Sequence, residues 1–330
     1  MQDFLNVAAY LPADRSGDVS DLLQRIIDEN PNRTLFFPDG TYRLSKPLVT
    51  PADPTRSVAL KLSNYAIIVA AEDWNGDGAL IHLGGKLFAN DIRTDGSNYY
   101  LEGGILDGAG MADGVSIDGG RETAVRNVSI KHTRIGLHVK RGANGGSSDA
   151  DIQNVHIVGN RQPDSVGLLV EGWDNTFTNM RISDVFVGVW LKSSGNMLRN
   201  IHPLYTLDYT DYAHSCGFIS EAGRPDNWFD FCYNDQFATG FLLKDHVILQ
   251  NCFSFWYSPR EGCHTAVKAE GEFRSIISNM VVGFCGHESR NVVLDAEEGG
   301  RGILQNLIIN NKREDLDDFT FQSYVQGACI

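Results

Sequence analysis

An asparagine that returns at the same place in a short strand-forming unit constrains this chain more than any other feature. Val125 to Val139, VRNVSIKHTRIGLHV, reads as two short strands joined by one turn. Aligned on the first strand, the residue recurs as Asn127, Asn154, Asn179, Asn200, Asn251, Asn279 and Asn306, at intervals of 27, 25, 21, 51, 28 and 27. The interval of 51 holds one altered copy, Asp230-Phe231-Cys232-Tyr233, in which Phe replaces Asn. A second strand follows, opened by Gly136, Gly167, Gly188, Gly217 or Gly240 and continued without glycine at Thr265 and Asn291. A repeat of about 20–30 residues made of strands and turns, with no helical period, defines a solenoid. Its coils stack as parallel strands about 4.8 Å apart, and equivalent residues form ladders along the axis. Asn tolerates the left-handed conformation of a turn, and its amide can bond its copy in the next coil, so the recurring Asn is architectural.

At 330 residues, 42% hydrophobic and 21% charged, the chain can bury a large core, and a solenoid grows by length rather than by adding domains. The formal charge of −14 argues against nucleic acid or an anionic membrane as partner. No apolar run is long enough to span a bilayer, and Met1-Gln2-Asp3 does not open a signal peptide. Of the six cysteines, Cys232 and Cys252 occupy the position taken by Val128 and Val155 in other copies, and Cys216 precedes a strand glycine as Ile135 does. Those positions predict buried, reduced thiols.

Residues 1–50 read as a cap continuous with a single solenoid domain over 51–330. Val19, Leu22, Leu23, Ile26 and Ile27 fall on one helical face of a helix expected over about 18–30, with Asp18 as N-cap and Pro31 as the stop. Thr34 to Leu44, TLFFPDGTYRL, is a strand, a Pro-Asp-Gly turn and a strand. This helix followed by FFPDGTYRLS resembles the N-terminal signature of the pectate-lyase-like superfamily. The resemblance implies an all-β, right-handed parallel β-helix along nearly the whole chain. Members of that superfamily include lyases, glycoside hydrolases, epimerases, fructotransferases and phage tailspikes, so the resemblance implies a secreted or periplasmic carbohydrate-active protein. DNWFDFCYNDQFATGF, residues 226–241, is similar to proteins that bear the label glycosyl hydrolase.

The repeat also predicts where a site belongs. From the residue after the ladder position to the next strand opening, the short copies take eight steps (Cys232 to Gly240), whereas Ile201 to Gly217 takes sixteen and Cys252 to Thr265 thirteen. Two insertions thus flank a short turn, which predicts a cleft with residues 233–239 as floor and 202–216 and 253–264 as walls. The walls hold Tyr205, Tyr209, Asp211 and His202 on one side and Trp256, Tyr257, Arg260 and Glu261 on the other. Sugars offer C–H faces to aromatic rings and hydroxyls to carboxylates and amides, so this mixture suits a glycan groove. Glycoside hydrolysis needs two carboxyl groups, about 5–5.5 Å apart for retention and roughly 6.5–9.5 Å for inversion. Asp235 on the floor is the leading candidate, with Asp184, Asp211 and Glu261 as partners and Tyr233 and Gln236 as further substrate contacts. A polysaccharide lyase, a fructotransferase-like transferase and a non-catalytic tailspike-like module remain alternatives, and an oligomer is compatible with each. The Asn-Thr-Asp, Asp-Asp and Gly-His-Gly set of polygalacturonases is missing, as are the clustered aspartates of calcium-dependent pectate lyases. No His/Cys/Asp trio has zinc spacing and no metal is expected. Trp74-Asn75-Gly76-Asp77-Gly78 reads as a polar turn, with calcium as the alternative.

Overall fold

The computed structural model describes residues 4–12, 17–76, 78–84, 99–141, 147–207, 212–257, 262–272, 274–284, 289–297, 302–311 and 319–320. The chain divides into two compact units, Met1–Thr176 and Phe177–Ile330. Within each, successive coils contribute strands to three sheets, and each pairing is parallel.

In the N-terminal unit the first sheet runs through Leu5–Asn6, Thr34–Phe37, Ala59–Leu62, Tyr100–Glu102, Ala124–Arg126 and Asp151–Gln153. The second runs through Gly40–Leu44, Ala66–Ala70, Ile105–Asp107, Ser129–Thr133 and His156–Gly159. The third runs through Leu48–Val49, Ala79–Leu83, Asp113–Ile117, Ile135–Val139 and Val166–Val170. Strand alternation sends Leu35, Leu60, Leu101, Val125 and Ile152, which share one register position, into the core. The solenoid therefore begins inside the segment expected to be a cap.

The helix spans Ser20–Glu29, with Val19 rather than Asp18 at its N-cap, and buries Leu23, Ile26 and Ile27, with Leu22 half-buried. Asp18 anchors its start: its carboxylate accepts from the Ser20 amide at 2.9 Å and from the Ser45 amide and hydroxyl at 3.1 and 2.7 Å. Burial alone would raise the pKa of Asp18, but these bonds outweigh it and hold it at about 2. On the third sheet, His82 and Asp118 are buried together with Nδ1 and Oδ2 2.6 Å apart, while Lys140 Nζ lies 3.1 Å from Oδ1 and the Ser116 hydroxyl donates to the same carboxylate.

The C-terminal unit repeats the plan. The strand Met197–Leu204 serves two sheets, pairing with Asn227–Asp230 in the first and with Tyr233–Asp235 in the second. The first continues through Val247–Gln250, Ile276–Ser278 and Ile303–Gln305. The second continues through Phe253–Phe255, Val281–Phe284 and Ile308–Asn311. The third holds Val187–Leu191, Cys216–Ser220, Thr239–Leu243, Gly262–Glu272, Ser289–Glu297 and Phe319–Thr320. Phe218 and Phe241 stack at 4.6 Å with Phe229 edge-on to both, and Cys216, Cys232 and Cys252 are buried free thiols. Gly217 is needed where two sheets close on each other, since a Cβ there would stand 2.5 Å from Asn234 Oδ1.

The asparagine ladder has the expected form. All seven residues adopt φ between 54° and 58° at the turn from first to second sheet. Their amides hand hydrogen bonds from coil to coil, as in Asn154 to Asn127 (3.1 Å), Asn200 to Asn179 (2.8 Å), Asn279 to Asn251 (3.2 Å) and Asn306 to Asn279 (2.9 Å). No helix among the described residues is long and apolar enough to cross a membrane.

Candidate functional site

The outer face of the second sheet in the C-terminal unit carries an aromatic groove, and strand register builds it. Leu204 pairs with Asp235, which sets His202 beside Tyr233; Tyr233 pairs with Phe253 and Phe253 with Val281. The next row out is Asp235, Phe255 and Gly283. Because alternate residues face opposite sides, Asn234 and Ser254 point inward while Tyr233, Phe253 and Phe255 point out. The groove encloses about 500 Å³ and is lined by these rings together with Arg181, Asn200, His202, Phe231, Val281 and Gly283.

Its aromatic groups support one another. The His202 imidazole stacks on Tyr233 with centroids 4.2 Å apart and planes within 13°. Phe253 meets Tyr233 at 5.9 Å and Phe231 at 6.0 Å, both edge-on. Gly283 lets the Phe255 ring lie down on the following strand, since a Cβ at 283 would meet that ring at 2.4 Å.

One carboxylate stands behind this lining. Asp235 is only 7% exposed, its Oδ2 lies 3.3 Å from His202 Nε2, and its buried Oδ1 has no hydrogen-bond partner among the described residues. Burial, and then repulsion of a phenolate by the Asp235 carboxylate, push the Tyr233 hydroxyl up to about 12, so it stays a neutral donor at neutral pH. The Arg181 guanidinium is held by the backbone carbonyls of Met180 at 3.0 Å and Asn200 at 3.3 Å, which leaves its remaining donors to the groove. The arrangement offers rings for C–H faces, donors for hydroxyls and a carboxylate–imidazole pair for proton transfer.

The structure places the predicted site residues in three groups. Tyr233 lines the groove, Asp235 lies behind it, and Tyr257 is half-exposed beside Phe255 at 6.4 Å. Tyr205, Gln236 and Trp256 do not form walls or floor; all three are buried in the core. Trp256 stacks between His264 and Phe284 at 5.2 and 5.0 Å, and its Nε1 donates to the Phe237 carbonyl at 2.8 Å. Tyr205 packs on Phe237 and Tyr212, while Gln236 Oε1 accepts from the Tyr257 amide at 2.6 Å. The described ends of both insertions therefore fold inward, and the groove lies on the strands rather than on the turn. Burial of Trp256 and Gln236 is permitted because the indole N–H and the amide oxygen each meet a backbone group, so the large apolar body of Trp256 gains from leaving water. Asp184 sits at a left-handed turn and accepts from the Thr206 hydroxyl. Tyr209, Asp211, Arg260 and Glu261 lie outside the described residues, as does Asp77 of the polar turn. Among the described residues no three His, Cys, Asp or Glu side chains cluster as a metal site.

Sequence reasoning missed Arg181, Asn200, Phe231, Phe253 and Phe255. The alternation Phe253-Ser254-Phe255 was the available signal, because a strand with one inward Ser between two Phe must present both rings outward.

The fold is the right-handed parallel β-helix. Among solved structures, the mannuronan C-5 epimerase A-module of Azotobacter vinelandii aligns with TM-score 0.62 and 12% identity over 98% of this chain and 97% of that one. The endo-xylogalacturonan hydrolase of Aspergillus tubingensis aligns with TM-score 0.63 and 13% identity over 98% of this chain and all (100%) of that one. The tailspike protein of an E. coli bacteriophage aligns with TM-score 0.66 and 12% identity over 98% of this chain and 65% of that one. No protein-family profile and no curated protein sequence matches the chain.

Proposed function

We propose that the protein is carbohydrate-active: a glycan lies in the groove on Tyr233, Phe253 and Phe255, and a glycosidic bond is hydrolysed there. The observation that carries this reading is the aromatic groove whose lining residue His202 is paired with the buried Asp235. Rings at this spacing stack on sugar faces, and a carboxylate beside an imidazole can pass a proton to a leaving oxygen. Hydrolysis needs a second carboxyl group, which we assign to Asp211 or Glu261, since Asp184 is engaged by Thr206. The structural neighbours, a hydrolase, an epimerase and a tailspike in complex with a pentasaccharide, support a carbohydrate ligand. A surface adhesin among the neighbours supports a place outside the cytoplasm.

A second reading, binding without turnover, is favoured by one fact: no carboxylate is among the described residues that line the groove. A polysaccharide panel separates the two. New reducing ends support hydrolysis, absorbance near 235 nm from an unsaturated uronate would instead mean elimination, and retention without product supports the binding module. If hydrolysis is found, Asp235→Asn should lower turnover about 10²–10⁴-fold with the melting temperature unchanged. Full activity in that variant would remove Asp235 from the mechanism.

A further inference from the structure

The one break in the asparagine ladder falls at the groove. Phe231 occupies the ladder position at φ 57°, a conformation that Phe adopts far less readily than Asn or Gly, and it is 55% exposed. The break also rewires its neighbours. Asn251 Nδ2, which would bond a ladder amide, instead donates to Asp230 at 3.0 Å. Asn200 donates to Asn179, but nothing among the described residues donates to its Oδ1, the atom an Asn at 231 would satisfy. An exposed ring and an open amide acceptor have thus replaced a hydrogen-bonded pair, at a cost in local stability.

Both groups face two cavities. Phe231 and Asn200 line the aromatic groove, and they also line a second cavity of about 520 Å³ with Asn179, Arg199, Asp230 and Asn251. The first is floored by rings and the second by amides and an Arg199–Asp230 pair (3.5 Å). Phe231 is the ridge between them. We infer that Phe231 and Asn200 form a bridging subsite that carries a glycan from the aromatic groove into this polar cavity, so that the ligand is an oligosaccharide and not a single sugar. The ring stacks on the sugar that crosses the ridge, and Asn200 Oδ1 accepts from one of its hydroxyls. The inference rests on the glycan reading of the groove and adds the length and path of the ligand.

The test uses the full chain and galacturonan, alginate, xylan and dextran oligosaccharides of two and six sugars, with affinities measured by titration calorimetry. For the series that wild type binds, Phe231→Asn should weaken the hexasaccharide about three- to tenfold, the worth of one stacked ring, and the disaccharide by no more than about twofold. Phe231→Tyr, which keeps the ring, should bind as wild type. The melting temperature of Phe231→Asn should equal or exceed wild type, because the ladder is restored, which excludes misfolding as the cause. Asn306→Gly, in the same ladder and lining neither cavity, should leave binding unchanged. Equal hexasaccharide affinity in wild type and Phe231→Asn, or equal losses for both lengths, would overturn the bridging subsite and leave the glycan reading intact. No binding of any series by wild type would overturn both.

Discussion

At the scale of single residues, the aromatic side chains of one short stretch take opposite fates. Phe253, Phe255 and Tyr257 face outward or lie half-exposed, while Trp256 between them is fully buried. Strand alternation explains the Phe residues, and the Phe237 carbonyl explains Trp256, since it satisfies the indole N–H that would otherwise resist burial. Trp256→Phe should therefore destabilise the protein by about 1–2 kcal/mol, through a lost bond and a small void, and leave glycan affinity alone. Chemical denaturation with parallel binding measurements checks this; a loss of affinity at unchanged stability would return Trp256 to the site.

Among elements, the asparagine ladder holds the corner between two sheets, and it combines two properties that no other side chain offers together. Its backbone tolerates positive φ and its amide both donates and accepts along the stack. Asn279 uses both, donating to Asn251 and accepting from Asn306. Replacing it with Gly keeps the backbone and loses the bonds, whereas Ala loses the bonds and strains the backbone as well. Asn279→Ala should cost about 2–3 kcal/mol and Asn279→Gly about 1 kcal/mol less than that. Equal destabilisation by the two, measured by urea denaturation, would show that the conformation at the corner contributes nothing.

For the whole molecule, acid sensitivity follows from hydrogen-bonded carboxylates held ionised. Burial alone would raise the pKa of Asp118, but bonds from His82 and Ser116 and the nearby charges of His82 and Lys140 hold it well below the usual carboxylate range. Asp18 is held at about 2. A carboxylate depressed in the folded state contributes stability above its unfolded pKa, and that contribution is lost as pH falls below about 4 toward the folded value. Asp118→Asn should be less stable than wild type by about 3 kcal/mol at pH 7, because His82 and Lys140 lose their partner. Melting curves from pH 7 to 2 should show that gap closing between about pH 4 and 2. A gap that stays constant with pH would mean the network is held by shape rather than by charge.

The sequence by itself determined the coil. Its period, the corner asparagines, the thiols at core positions and the helix at the start are all local or nearest-neighbour facts, written in spacing that a solenoid repeats from one coil to the next. Tyr233 and Asp235, named from spacing alone, do meet at one groove. Only the tertiary structure decided which polar aromatic residues enter the core. Tyr205, Tyr212 and Trp256 have compositions that suit a sugar groove equally well, and what buried Tyr212 and Trp256 was a backbone carbonyl in a neighbouring segment, at Gln236 and Phe237, that no spacing rule announces. Register decided the rest. It placed His202 against Tyr233 and Phe255 over Gly283, and so put the groove on the strands, where residues distant in sequence become neighbours 4–6 Å apart through pairing alone.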